Sequence, residues 1–372
     1  MKTTDVIVIG GGVIGLAIGR ALRQARLHVT LFERNDQPGG EASWAAAGML
    51  APQSEATGPG AMLDLCLASR ALYPKLAECL RDETGIDIEL RQEGTLLPSF
   101  SANQHSQLQA FVNWQQSAGL RASLISAAEA FEREPRLSPK LVEAVWLPDD
   151  WQVDNRRLTR ALITAAYLAG VDICCNAGSV QLLVENNRVK GVEVGFERWS
   201  APVVINAAGS WAAQMPAELL RLPRASVRPI RGQMLALEMQ PPTLLRHVIR
   251  SEAAYLVPRR DGRLVVGATV EDTGFAKQVT ASGVMALLKG VIETVPALAD
   301  CALIETWAGL RPLAEDQLPI LGATDVSGLL CATGHYRNGI LLTPITAAVM
   351  TSLVTGTVPA IELEPFSPKR FL

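Results

Sequence analysis

The stretch VIVIGGGVIG, Val6 to Gly15, sets four β-branched residues directly before a glycine-rich turn. Branched apolar residues favour a buried strand, and the glycine spacing matches the G-x-G-x-x-G pattern of dinucleotide-binding turns. Gly10 permits the tight turn, Gly12 lets the backbone approach a pyrophosphate, and Gly15 lets helix and strand pack closely. The helix that follows offers free N–H groups to phosphates at its N-terminus.

The residues around this turn supply the context that the motif requires. A strand over Asp5–Ile9, a helix over Val13–Gln24 and a strand over His28–Phe32 form a predicted βαβ unit. Glu33 ends the second strand, where a carboxylate accepts hydrogen bonds from ribose hydroxyls and disfavours a 2′-phosphate. The fingerprint alone does not decide between NAD and FAD.

Composition excludes several classes of function. The chain has 372 residues, a formal net charge of −3, 48% hydrophobic and 19% charged residues. This is a globular composition with no basic run, so we expect neither nucleic-acid binding nor attachment to an acidic membrane surface. No apolar stretch is long enough for a transmembrane helix, and the cysteine spacings suit no metal site. We expect a cytoplasmic protein without a metal.

Further elements follow from periodicity and turn signals. We predict helices over 61–84, from the Asp154 cap to about Ala169, over 280–294 and over Ile340–Thr355. We predict strands over 171–174, 180–184, 189–194, 203–207, 303–307 and 329–332, and a hairpin at Asp261-Gly262. The expected fold is α/β plus α+β, with a Rossmann-like nucleotide-binding domain interleaved with a domain on a mostly antiparallel sheet. The predicted division is 1–85, 150–220 and 300–372 for the first domain, and 86–149 and 221–299 for the second.

Three further segments favour a flavin. GGEASWAAAGMLAP, Gly39–Pro52, is rich in small residues, which let a backbone lie flat beside a planar ring. VVINAAGSWA, Val203–Ala212, ends an apolar strand in small residues and Gly209, at the sheet edge where ligands bind. GHYRNGIL, Gly334–Leu341, leads into the last helix, whose N-terminus would stabilise the charge of a reduced flavin. An alanine-rich helix start and a core strand with its turn are the plainer interpretations of the first two.

These segments carry a family resemblance that extends over essentially the whole chain. The order VIVIGGGVIG, SWAAAGML, YLVPRRDGRLVVGAT, WAGLRP and GHYRNGILL resembles the D-amino-acid oxidase type of FAD oxidoreductases. YLVPR, WAGLRP and GHYRNGILL are similar to its glycine oxidase branch. The resemblance implies non-covalent FAD, because neither the 40s loop nor the Ala308–Arg311 stretch holds a His or Cys for attachment. With the turn glycines and Gly209 included, the predicted cofactor-binding residues are Gly10, Gly12, Val13, Ile14, Gly15, Glu33, Arg34, Ala42, Ser43, Ala46, Ala47, Gly48, Met49, Val180, Gly209, His335, Tyr336, Arg337, Asn338, Gly339, Ile340 and Leu341.

The resemblance also implies a reaction. It is the oxidative deamination of glycine and other small amines, such as sarcosine and small D-amino acids, to an imine or 2-oxo acid, ammonia and hydrogen peroxide, with O2 as electron acceptor. It further implies supply of the glycine imine for the thiazole of thiamine, with hand-off to the thiazole synthase, and a homo-oligomer such as a tetramer. The alternatives are an oxidase or dehydrogenase for D-amino or N-methyl amino acids, a nucleotide-binding carrier, and an NAD-dependent dehydrogenase.

Three side chains are predicted to act on the substrate. Arg311 is the expected carboxylate anchor, since a guanidinium binds a carboxylate through two hydrogen bonds, and Pro312 is expected to stiffen a turn after it. A structural ion pair of Arg311 with a nearby acid, Glu315 or Asp316, is the alternative. Tyr255 is expected to add its hydroxyl or to close the pocket wall.

Arg337 also matches a substrate-side position of the family. Its side chain is expected either to hold the substrate carboxylate or to brace the flavin loop. Ala254 and Val270 are expected to line the pocket. His335 is a candidate catalytic base, although a hydride transfer from a neutral amine needs mainly orientation and desolvation.

Overall fold

The computed structural model describes residues 2–214 and 227–371, which form four β-sheets with helices packed on them. The helices are Val13–Gln24 (α1), Ala42–Ala45 (α2), Ala61–Ala71 (α3), Tyr73–Thr84 (α4), His105–Ser117 (α5), Ala127–Arg133 (α6), Asn155–Leu168 (α7), Ala281–Thr294 (α8) and Thr343–Thr355 (α9). The strands are Lys2–Thr3 (β1), Val6–Ile9 (β2), Val29–Phe32 (β3), Met49–Leu50 (β4), Thr95–Ser99 (β5), Ser123–Ser126 (β6), Glu143–Leu147 (β7), Trp151–Gln152 (β8), Asp172–Cys174 (β9), Val180–Glu185 (β10), Arg188–Val194 (β11), Glu197–Ser200 (β12), Val203–Asn206 (β13), Val227–Glu238 (β14), Val248–Arg250 (β15), Tyr255–Pro258 (β16), Arg263–Gly267 (β17), Ala302–Ala314 (β18), Ile320–Ala323 (β19) and Leu329–Thr333 (β20).

A six-stranded sheet of order β19-β20-β13-β2-β3-β9 carries the glycine-rich turn. Strands β2, β3, β9, β13 and β20 run parallel, and β19 pairs antiparallel at one edge. Every residue of β2 and β3 is buried, as expected for parallel strands covered on both faces. This arrangement confirms the Rossmann-like α/β part of the predicted fold.

An eight-stranded sheet of order β18-β14-β17-β16-β15-β5-β7-β6 forms the second large body. Its neighbouring strands are antiparallel except for β15 and β5. The α8 helix packs on β14 and β17 and contributes Leu287 and Val291 to a buried apolar cluster. The mostly antiparallel sheet of the predicted fold is thereby confirmed, while the residue boundaries of the two domains stay a prediction.

Several local predictions are confirmed. The Asp154 carboxylate accepts hydrogen bonds from the backbone N–H groups of Arg156 and Arg157 at 2.9 and 3.0 Å, and so caps α7. Asp261 and Gly262 lie between β16 and β17, which pair antiparallel.

Three boundaries were predicted wrongly. The helix predicted over 61–84 is two helices that meet at Leu72, because Pro74 lies in the first turn of α4 and its ring cannot be accommodated inside a continuous helix. The last helix begins at Thr343 and not at Ile340, with Pro344 in its first turn. The strand predicted over 303–307 continues to Ala314, paired along its whole length with β14.

No helix in the described part of the chain is both long and apolar enough to cross a membrane.

The α1 helix contains two glycines that make a matched test of close packing. A Cβ atom on Gly15 would overlap the carbonyl oxygen of Gly10, whereas one on Gly19 would meet Val171 at an ordinary 3.4 Å. We expect Gly15→Ala to lower the free energy of unfolding by about 1–3 kcal/mol, the usual cost of overpacking. Gly19→Ala is expected to raise it by up to about 1 kcal/mol through helix propensity. Urea unfolding measures both, and equal effects would contradict this packing argument.

Candidate active site

A cavity of about 770 Å³ opens at the carboxyl ends of the parallel strands and extends to the eight-stranded sheet. It is lined by all three residues predicted to act on substrate and by the predicted cofactor-binding residues, with two exceptions. Gly15 packs inside the βαβ unit, and Leu341 is buried behind the last loop. The structure therefore brings together residues that are up to 330 positions apart, from Gly10 to Ile340.

The glycine-rich turn forms one end of the cavity. Gly10 has a φ of +108°, and a Cβ atom there would lie 2.8 Å from the carbonyl carbon of Ala207. Glu33 is buried beside the turn, where its carboxylate accepts hydrogen bonds from the N–H groups of Gly11 at 2.8 Å and Asn35 at 2.9 Å. Its remaining lone pairs suit ribose hydroxyls, so this end fits a nucleotide.

The segment Ser43–Gly48 forms the floor of the cavity. Its side chains, apart from Trp44, are no larger than that of serine, so the backbone itself faces the cavity. Within the described residues the N–H groups of Ala47 and Gly48 have no acceptor, although both residues are buried. Orphaned buried donors are rare in a folded protein, and a planar ring with acceptor atoms would satisfy them.

The GHYRNGIL loop lines the same cavity. Gly334 and Tyr336 have φ values of +72° and +47°, and a short 3₁₀ turn covers Tyr336–Asn338. The N–H groups of Gly339, Ile340 and Leu341 have no acceptor among the described residues. The prediction that a helix starts at Ile340 was wrong. The free N–H groups that the prediction placed at a helix N-terminus belong to this loop instead. Tyr73 fixes it from behind by a hydrogen bond to the carbonyl of Ile340.

His335 faces the cavity but is not suited to be a base. It is 3% exposed, and its Nε2 atom lies 3.0 Å from the hydroxyl of Thr346. Burial lowers the pKa of His335 to about 3, so the imidazole is neutral at physiological pH and binds protons weakly.

Arg311 and Tyr255 lie together at the substrate end. The Arg311 guanidinium packs on Gly232 and donates one hydrogen bond, to the carbonyl of Thr269 at 3.0 Å. It forms no ion pair within residues 2–214 and 227–371. Burial raises the pKa of Tyr255, and the positive charge of Arg311 opposes that shift. The pair thus offers one unbalanced positive charge and a neutral hydroxyl.

The surroundings of Arg311 differ from the prediction. Arg311 and Pro312 lie inside β18, paired with Ile230 and Pro229, and not in a turn. The alternative of an ion pair with Asp316 fails as well, because Arg370 holds that carboxylate at 2.6 Å.

Two glycines that the sequence analysis missed create this space. A Cβ atom on Gly232 would overlap the Arg311 guanidinium, and one on Gly267 would lie 2.6 Å from the ring of Tyr255. Both are isolated glycines within strands, which mark a close approach of other groups and were the available signal.

Arg337 lies at the mouth of the cavity, where it shares one carboxylate with Arg250. Its Nη1 atom is 3.7 Å from the carboxylate of Glu55, which also lies 3.2 Å from Arg250. Glu55 and Arg250 line the cavity and were missed, because no local pattern marks them. Ala254 is a buried lining residue, whereas Val270 is 54% exposed at the rim.

Comparison with known proteins agrees with this geometry. The protein family described as FAD dependent oxidoreductase (DAO) matches residues 5–353. The chain belongs to this family. Its cofactor is FAD, and the NAD-dependent alternative is thereby excluded. The free N–H groups of the floor and of the GHYRNGIL loop have no acceptor in the described chain. They can therefore bind the acceptor atoms of a planar ring.

Individual relatives are similar over the whole chain. It is 41% identical over 376 residues to the bifunctional protein ThiO/ThiG of Synechocystis sp., covering 100% of this chain and 54% of that protein. This chain therefore spans about half the length of these bifunctional relatives. It is 37% identical to the glycine oxidase of Geobacillus kaustophilus, with 99% and 97% coverage.

Two solved structures are also similar to this chain over nearly their whole length. The crystal structure of glycine oxidase from Geobacillus kaustophilus superposes with a TM-score of 0.93 at 36% identity and covers 100% of both chains. Iminodiacetate oxidase from Chelativorans sp. has a TM-score of 0.88 at 28% identity, with 98% of each chain covered.

The neutral His335 predicts a pH dependence of stability. Its pKa lies at about 3 in the folded protein against 6.5 for a free imidazole. Below pH 6.5 the unfolded chain binds a proton that the folded protein does not, so stability falls as the pH falls from 6.5 towards 3. Between pH 7 and 5 we expect the wild type to lose about 2 kcal/mol of unfolding free energy that His335→Gln does not lose.

Urea unfolding of both proteins at the two pH values measures this difference. Other titrating groups cancel, because they are common to both. Equal losses in the two proteins would show that His335 is protonated in the fold.

Proposed function

We propose that this protein oxidises glycine and other small amines, such as sarcosine and small D-amino acids, to the imine. The observation that carries the proposal is the uncompensated Arg311 guanidinium beside Tyr255, at the end of the cavity away from the glycine-rich turn. An unpaired, partly buried cation is costly unless a ligand supplies the opposite charge. A substrate carboxylate is such a ligand, and relatives named glycine oxidase support this assignment.

The proposed roles of the side chains follow from their chemistry. Arg311 binds the carboxylate through two charge-assisted hydrogen bonds, and the Tyr255 hydroxyl donates a third. Ala254 leaves room for only a small substituent on Cα. Bound FAD would supply the two-electron acceptor. Because His335 is a weak base, the substrate amine reacts in its neutral form and loses its proton to solvent. The chain contributes orientation and exclusion of water.

The products follow from the electron balance. Two electrons and two protons leave the amine and are taken up by O2 as hydrogen peroxide, and water hydrolyses the imine to a 2-oxo acid and ammonia. Relatives named ThiO/ThiG support a hand-off of the imine to the thiazole synthase of thiamine biosynthesis. We further propose that FAD is attached non-covalently, that the protein forms a homo-oligomer and that it is cytoplasmic.

A substrate panel tests the reaction. The purified protein is expected to be yellow, to release its flavin on denaturation, and to produce peroxide with glycine and sarcosine and more slowly with D-alanine. L-amino acids and bulky D-amino acids are expected to be poor substrates. Reduction of the flavin by glycine without peroxide would indicate a dehydrogenase, and activity with only D-proline or larger D-amino acids would overturn the glycine assignment.

Variants of Arg311 and Arg337 test which of the two arginines binds the substrate carboxylate. Arg311→Gln is expected to raise KM for glycine by about 10- to 150-fold, because it removes a charge-assisted contact of about 1.5–3 kcal/mol. Arg337→Gln is expected to raise KM by less than about tenfold, since its guanidinium already has Glu55 as a partner.

Steady-state kinetics with glycine, and flavin absorbance to confirm that both variants hold FAD, measure this. An unchanged KM in Arg311→Gln, or a larger rise in Arg337→Gln, would move the carboxylate anchor to Arg337.

A further inference from the structure

The carbonyl groups of the floor segment Ser43–Gly48 point away from the cavity into hydrogen bonds. Five of these six consecutive residues have a carbonyl held by a donor from elsewhere in the chain. The Asn155 amide donates to the carbonyls of Ser43 and Trp44 at 2.9 Å each, and the N–H of Val153 donates to that of Gly48 at 2.9 Å. A peptide group whose carbonyl is fixed on one side presents its N–H to the other.

Two further side chains complete the set. The Trp307 indole donates to the carbonyl of Ala45 at 3.0 Å, and Arg259 donates to that of Ala47 at 2.7 Å. Arg259, Asn155 and Trp307, here called the anchoring side chains, lie behind the floor segment and do not belong to the described lining of the cavity. They can therefore affect a bound ring only through the backbone carbonyls that they hold.

Of the three side chains, Arg259 makes the most hydrogen bonds. It is 3% exposed and also donates to the carbonyl of Val153 at 2.9 Å and to Asn155 Oδ1 at 3.2 Å. Asp154, at 3.9 Å, provides its counter-charge. A buried guanidinium with several fixed acceptors stays in one geometry, because breaking any contact leaves a buried group unpaired.

We propose that Arg259 is a positioning residue that tunes the bound FAD. By fixing the carbonyl of Ala47 outward, it aims the free N–H group of Gly48, which belongs to the same peptide, at the ring. The carbonyls that Asn155 and Trp307 hold belong to peptides whose N–H groups already donate to the carbonyls of Glu41 and Ala42. Preorganised donors stabilise the negative charge that a flavin gains on reduction. Arg259 therefore raises both the affinity for FAD and its reduction potential. The inference depends on FAD binding alone and not on which amine is oxidised.

A conservative variant with two controls tests this. Arg259→Lys keeps the charge but loses the forked contacts. Arg263→Lys is the first control, since Arg263 also pairs with Asp154, at 2.9 Å, but does not touch the floor segment. Trp307→Phe is the second control, since it removes the donor to the Ala45 carbonyl, and the N–H of that peptide, on Ala46, already donates to the carbonyl of Ala42 at 3.1 Å.

The readouts are the dissociation constant of FAD, the midpoint potential of the bound flavin and the unfolding temperature of the apoprotein. We expect Arg259→Lys to weaken FAD binding by about tenfold and to lower the midpoint potential, while the two controls stay within about threefold of wild type in affinity and keep its potential.

Two results would overturn the proposal. One is a lower unfolding temperature in Arg259→Lys with unchanged affinity and potential, which would make Arg259 purely structural. The other is an equal change in the controls. Because no amine substrate enters these measurements, failure of the proposed glycine oxidation would leave them interpretable.

Discussion

The structure depends on one constraint, the absence of room for side chains where the eight-stranded sheet packs on the floor segment. A Cβ atom on Gly309 of β18 would overlap the Cβ of Ala45, and one on Gly48 would overlap the carbonyl oxygen of Val153. Small residues on both sides of the contact allow β18 to approach the floor segment closely. The cavity exists because this contact closes its floor with backbone alone, so its N–H groups remain available to a ligand. Close packing and cofactor binding therefore both require small residues in the floor segment.

Charge is distributed unevenly along the cavity, and the distribution separates its functions. At the mouth, Arg337 and Arg250 share the carboxylate of Glu55, so each guanidinium has an acidic partner although the cluster keeps one net positive charge. Deeper inside, the half-buried Arg311 has no acidic partner in the described chain, and an electrostatic interaction there is stronger than at the surface. Positive charge therefore attracts an anionic group both at the mouth and beside Tyr255, but only Arg311 offers an unpaired guanidinium.

Local patterns were sufficient for the βαβ unit and for the hairpin at Asp261-Gly262. Each depends on backbone requirements that leave a sequence signature, such as the glycine spacing from Gly10 to Gly15. What the sequence could not show arises from contacts between distant segments. Glu55 acquires its role only through Arg250 and Arg337, and Gly232 only through Arg311. The anchoring side chains are similar: nothing next to Arg259 or Trp307 in sequence indicates that their partners are the carbonyls of residues 47 and 45.

The two bodies of the fold carry different parts of the chemistry. The glycine-rich turn and the GHYRNGIL loop follow strands of the six-stranded sheet, and they and the floor segment present mainly backbone donors to the cofactor. The substrate end is made of side chains on the eight-stranded sheet, with Arg311 on β18 and Tyr255 on β16. With the proposed function, a substitution on β16 or β18 can thus alter the amine that is accepted while the backbone donors stay in place. A protein of the same fold at 28% identity is named iminodiacetate oxidase, which agrees with this division of roles.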